Sequence, residues 1–291
     1  MNPALTPTST GTGLRRLLPG MRVLLGIFGL LTALAVCVLY VLAPTTDRTF
    51  AWTIQPPLTA AFLGAGYAAG FVLVTLSLRD PVWAHSRVAV LTIFVFVVLT
   101  LTATLLHRDR LHNAPEFAGS DFLAQAAAWL WLTVYVVVPV AMLVMLVLQE
   151  RVLGSDPVPR HPVPSALRAA LGTESIVLLA VGLPLFIRPA TATDLWPWAL
   201  TPFTARVVGA WLVAFGLAAA LAAMSGDLHR LRTAAVAYTV FGGLVLLAVA
   251  RFRATLDWTR PSAWIFLAGA LAVVATGAAG WRAAPGERSR D

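Results

Sequence analysis

The chain has 291 residues, 59% of them hydrophobic and only 12% charged, with a mean hydropathy of +0.81. So little charge cannot cover a water-soluble domain, which places the chain in a membrane. The +8 balance comes from 21 arginines and no lysine. These arginines stand at the ends of apolar runs and form no continuous patch, so they speak for topology and against nucleic acid. Without lysine, Schiff-base catalysis and a lysine-bearing phosphate loop are excluded. The single cysteine, Cys37, rules out intramolecular disulfides and cysteine-rich metal sites.

Residues 1–19 are rich in Thr, Pro and Gly and are expected to be disordered. Arg15 and Arg16 precede an apolar run from Met21 to Leu42, longer than a secretion signal and read as a retained first span. After a loop with Asp47, Arg48 and Trp52, Pro57 opens a second helix that runs to Leu78 and stops at Arg79-Asp80-Pro81. Proline suits a first helical position, where its missing N–H has no partner to lose. The third helix is expected from Val88 to Leu106, with Thr92, Thr100, Thr102 and Thr104 able to bond within or between helices. The longest loop, His107 to Asp121, leads to a fourth helix from Phe122 to Leu148. A Pro-rich connection through Pro164 reads as a linker. The fifth helix begins near Ser165, read as its N-cap, and ends at Ile187. Helices follow at Pro202 to Met224, Ala234 to Ala250 and Pro261 to Trp281, ahead of a polar tail.

The stretch Gln55 to Tyr67 has an echo 145 positions downstream: Pro57, Thr59, Ala60, Gly64 and Ala65 recur as Pro202, Thr204, Ala205, Gly209 and Ala210. At the same offset Pro44, Thr46, Arg87, Phe96 and Arg108 recur as Pro189, Thr191, Arg232, Phe241 and Arg253. Charged and proline positions in one order point to a tandem duplication. The expected fold is therefore an all-α polytopic membrane protein with about eight transmembrane helices in two parallel four-helix repeats. These are residues 20–150 and 165–281, joined by the linker 151–164 and followed by the tail 282–291. An even number of spans per repeat sets both copies the same way up about an axis near the membrane normal. Thirteen arginines fall on the side of the termini and eight on the other. This favours cytoplasmic termini in a plasma membrane.

Ala60 and Gly64, with Ala205 and Gly209 in the second copy, form small-residue stripes that let helices approach closely, so helices two and six belong at the centre of the bundle. Their N-termini carry a partial positive charge, and with Thr59, Thr204 and Arg206 they form a candidate anion site. Glu174 is the one acidic residue expected inside a span, where it is either interfacial or a proton- or cation-coupled site. Asp47, Arg108, Asp194 and Arg253 are expected either as two matching salt bridges or as solvated loop charges. Seven tryptophans, among them Trp52, Trp129, Trp131, Trp196, Trp198 and Trp264, are expected in an interfacial belt. His107 and His112 beside Glu116 and Asp121 make only a weak metal pattern, so no metal ligand, cofactor or catalytic residue is assigned.

The strings Phe50-Ala51-Trp52-Thr53-Ile54-Gln55-Pro56-Pro57-Leu58-Thr59-Ala60 and Trp196-Pro197-Trp198-Ala199-Leu200-Thr201-Pro202 resemble those of uncharacterised multi-pass membrane proteins of actinobacterial type. That resemblance implies the membrane and repeat architecture and carries no functional residue. Three function classes follow from the residues. A small-solute or ion transporter requires a polar cavity between the repeats. A non-catalytic accessory or scaffold protein, assembled with itself or with other membrane proteins in the bilayer, requires a dry centre. An enzyme on a lipid-linked substrate has only the loop arginines in its favour.

Overall fold

A computed structural model describes residues 13–284. The expected tail residues 285–291 and the first twelve residues lie outside the described part. Among the described residues, eight helices are long and apolar enough to cross a membrane. They are α1 (Pro19–Val41), α2 (Pro57–Arg79), α3 (Trp83–Leu106), α4 (Phe122–Glu150), α5 (Ser165–Ile187), α6 (Pro202–Met224), α7 (Leu228–Arg251) and α8 (Pro261–Ala283). The protein is thus an all-α polytopic membrane protein, and no β-sheet occurs among the described residues.

Helix ends differ from the hydropathy reading where polar side chains find partners. α3 begins five residues before Val88 because its polar first turn is satisfied: Asp80 accepts from the Val82 N–H at 3.0 Å and from His85 Nδ1 at 2.6 Å, and Arg87 donates to Asp156 at 2.8 Å. α7 likewise begins at Leu228 and not Ala234, with Asp227 capping the His229 N–H at 2.8 Å. Pro81 fixes the end of α2, since the residue before a proline is driven out of the helical region. Ser165 is the first residue of α5 and makes no cap hydrogen bond; Pro164 takes the cap position. The one reciprocal capping box belongs to α6, between Thr201 and Thr204.

The packing follows a regular scheme. α1 lies on α2 as α5 lies on α6; α3 meets α4 as α7 meets α8; and α2 packs along α7 as α6 packs along α3. α2 and α6 are the most enclosed, with 72% and 67% of their apolar windows buried against at most 50% for the other six. Around that centre α1 with α4 and α5 with α8 form two outer pairs.

The expected disorder of residues 1–19 does not extend over 13–18, which form an extended strap. The Arg15 and Leu17 N–H groups donate to Ser155 O (3.0 Å) and Pro81 O (2.8 Å), and the Trp83 N–H donates to Arg15 O at 2.9 Å. Gln149, fully buried, accepts from the Leu18 N–H at 2.8 Å and donates to Arg16 O at 2.9 Å. These bonds occupy backbone groups that would otherwise be unpaired, which is why the segment is ordered. The strap ties the linker to the turn between α2 and α3, on the face where α1 begins and α8 ends, called here the terminal face.

The opposite face is closed by aromatic side chains. Trp52, Trp131, Trp196 and Trp198 are buried and leave the expected interfacial belt, whereas Trp129 and Trp264 remain exposed. Trp52 packs on Phe203 at 4.5 Å and Trp131 at 4.9 Å; Trp196 and Trp198 pack on each other and on Phe266 at 5.0 to 5.5 Å. Such pairs combine large apolar area with favourable ring geometry. The loop charges do not form the matching bridges: Asp47 pairs with its neighbour Arg48 at 3.6 Å, and the Asp194 carbonyl accepts from Arg260 at 2.8 Å.

Candidate functional site

The small-residue stripes serve helix contacts. A Cβ on Gly64 would stand 2.7 Å from Tyr40 N and 3.0 Å from Leu39 C, and one on Gly209 would stand 2.7 Å from Gly182 O and 2.9 Å from Phe186 N. Ala60 and Ala205 are fully buried as well. The stripes therefore face α1 and α5. The contact between α2 and α6 runs instead through Gly66, whose Cβ would meet the Trp211 ring at 2.7 Å.

The polar side chains at the N-termini of α2 and α6 are each taken up by a separate partner. Thr59 is fully buried and accepts from the Trp198 indole at 2.8 Å, and Thr204 is consumed by the capping box with Thr201. Arg206 donates from Nη1 to Nε2 of His107 at 2.7 Å, which requires that nitrogen to be unprotonated. Burial pushes the His107 pKa below its usual value, with the Arg206 and Arg110 charges acting in the same direction against Asp109. The weak metal pattern in this loop is also spoken for: His112 Nδ1 donates to Phe50 O at 2.8 Å and its Nε2 accepts from Thr53 at 3.1 Å.

Glu174 lies nine residues into α5, about 14 Å along the helix and so near mid-span. One carboxylate oxygen accepts from Thr276 of α8 at 2.7 Å; the other, buried, faces the Tyr238 hydroxyl of α7 without closing a hydrogen bond. Beside these groups, among α3 and α5 to α8, lies a small apolar cavity of about 40 Å³ that reaches Thr92, Phe215 and Tyr238.

The large opening is elsewhere. A cleft of about 1130 Å³ runs in from the terminal face between the end of α2, the start of α3, the linker and α7. Its rim carries Arg79, Asp80, His85, His161, His229 and Arg232, and its walls rise past Thr239 to Val240. Val240 is twelve residues into α7, about 18 Å from its start, so the cleft reaches mid-span. Burial alone would raise the Asp80 carboxyl, but the His85 hydrogen bond, the Val82 N–H and the charges of His85 and His229 outweigh it and hold it below the usual carboxylate value.

Sequence reasoning missed this cleft because its residues lie at 79–85, 155–161 and 227–240 and sort by hydropathy into three unrelated helix ends. The one local signal was the Asp80 to His85 spacing at a helix start. Fold and cleft together define a polytopic helical membrane protein with a charge-rimmed recess on its terminal face. No protein-family model matches the chain, and no curated protein and no solved structure is significantly similar to it.

Proposed function

We propose that the protein is a small-solute or ion transporter whose substrate enters the cleft on the terminal face, between two parallel four-helix repeats. The observation that carries this reading is the cleft itself, lined from both halves of the chain and by the linker, and running from a charged rim to mid-span. The repeat is supported by the matched helix pairs and by Gly66 and Trp211. These two residues are 145 positions apart, the offset of the sequence echo, and they touch. Equivalent positions meet each other where they lie on a two-fold axis. The aromatic closure of the opposite face makes this the conformation open to the terminal side, as alternating access requires. With the arginine bias, that side is the cytoplasm of a cell bounded by the plasma membrane.

The test is cysteine accessibility in a Cys37→Ala background. Thr239→Cys and Val240→Cys should react with a membrane-impermeant maleimide from the terminal face, while the lipid-facing Leu247→Cys should not. If the first two react no faster than the third, the cleft is a lipid groove and the transport reading falls.

A second reading, a non-catalytic accessory or scaffold protein in contact with itself or other membrane proteins, is favoured by one observation: the cavity beside Glu174 inside the bundle is small and apolar. That reading expects Thr239→Cys to react with lipid-soluble reagents only.

A further inference from the structure

We propose that Asp80, His85 and His229 form a binding site for a divalent transition-metal ion of the zinc type, set at the rim of the cleft and joining the two halves of the chain. One ligand atom from each of the three lies within 4.8 Å of the other two. Two imidazoles and one carboxylate are a donor set for Zn²⁺, Co²⁺ or Ni²⁺ and a poor one for Mg²⁺ or Ca²⁺, which prefer all-oxygen shells.

A small adjustment brings these atoms to the spacing that an ion imposes. With metal–ligand bonds of about 2.0 to 2.2 Å, a tetrahedral site spaces its ligand atoms about 3.4 Å apart. The His85 Nδ1 to Asp80 Oδ2 distance is 2.6 Å, shorter than that because a proton lies between them. A metal that replaces this proton opens the pair by about 0.8 Å, and His229 closes in from the other side. The rings of His85 and His229 stand 4.8 Å apart with their planes at 75°. That edge-on arrangement allows one nitrogen from each to face a common point without the rings colliding.

The supporting contacts hold the Asp80 carboxylate and the His229 backbone. Asp80 spends its other oxygen on the Val82 N–H at 3.0 Å. The His229 N–H donates to Asp227 at 2.8 Å, and the second Asp227 oxygen takes the Arg160 N–H at 2.9 Å. Such outer contacts orient ligands and tune affinity. Three protein ligands leave a fourth position facing the cleft, open to water or to an anionic group. Arg79 and Arg232 line the same cleft and favour an anion there. Asp156 is held by Arg87 at 2.8 Å and so is not the fourth ligand.

The site shares the cleft with the transport reading but rests on different atoms, and binding is measured without flux, so either can fail alone. Protein carrying a non-histidine affinity tag is placed in lipid nanodiscs and titrated with ZnCl₂ by calorimetry, and with CoCl₂ by visible absorption. The expected result is one Zn²⁺ per chain and the intense absorption of tetrahedral Co²⁺. His85→Gln, His229→Gln and Asp80→Asn should each weaken binding at least about tenfold, while His161→Ala, on the same rim, should not. Zn²⁺ should also raise the melting temperature of the wild type and not that of the three variants. Absence of stoichiometric binding, a weak octahedral Co²⁺ spectrum, or equal affinity in the three variants and the wild type would overturn the site. The first two readouts use only wild-type protein, so a variant that fails to fold leaves the answer intact.

Discussion

The close approach of α1 to α2 and of α5 to α6 depends on Gly64 and Gly209, and alanine at either should push the helices apart. In Gly209→Ala the new methyl stands 2.7 Å from Gly182 O and 2.9 Å from Phe186 N; in Gly64→Ala it stands 2.7 Å from Tyr40 N. Carbon reaches good contact at about 3.5 Å, so the facing backbone must withdraw by about 0.8 Å in each case. Backbone on a packed helix cannot swing aside as a side chain can. Overpacking of this kind costs about 1 to 3 kcal/mol, and the better helix propensity of alanine returns up to about 1 kcal/mol. The expected net loss is about 1 to 2 kcal/mol for each variant. Gly243→Ala is the control: nothing lies within 4 Å of its added methyl, so only the propensity gain remains and stability should rise. Unfolding in mixed micelles by SDS titration, followed by tryptophan fluorescence, measures all three. If Gly64→Ala and Gly209→Ala prove as stable as the wild type, close backbone approach is not the role of these glycines.

Three further outcomes are expected. Because the His107 pKa is depressed in the folded protein, its contribution is complete above the unfolded value of about 6.5 and is lost as pH falls from there through the folded value. The melting temperature should therefore drop below about pH 6.5 in wild type, and His107→Gln, which keeps an acceptor for Arg206 without titrating, should flatten that part of the profile. Tyr67→Phe should cost about 1 to 3 kcal/mol, since it leaves the buried Tyr135 hydroxyl without its partner at 2.6 Å. The double change with Tyr135→Phe should cost less than the two single changes summed, and strict additivity in this cycle would contradict the pairing. Gln149→Leu removes both hydrogen bonds that its side chain makes to the strap. Amide exchange at residues 13–18 should accelerate while the central helices keep their protection, and unchanged exchange would mean that the remaining backbone bonds suffice.

The membrane class, the eight spans and their order were legible in composition and hydropathy, because a bilayer demands long apolar helices with internally satisfied backbones and leaves little choice. Prolines 57, 202 and 261 gave helix starts that agree with the structure to the residue. The first turns of α3 and α7 were illegible, because hydropathy treats their polar residues as loop when His85 pairs with Asp80, Arg87 pairs with Asp156 and Asp227 caps the His229 N–H. The tryptophans read as a belt because a sequence cannot distinguish an indole at a lipid headgroup from one folded beneath a loop; only the packing of Trp52 on Phe203 and Trp198 on Thr59 decides that.

Glu174 was visible as a lone acid in an apolar run, but its depth depended on where α5 begins. Its neighbours on α7 and α8, Tyr238 and Thr276, lie 64 and 102 residues away. The sequence by itself determined which segments enter the membrane, because transfer free energy is a local sum over side chains. The tertiary structure alone decided where the polar groups meet. A bond such as Asp80 to His85 is set by the turn between two helices, and the approach of His229 is set by the packing of α7 on α2 across the whole chain.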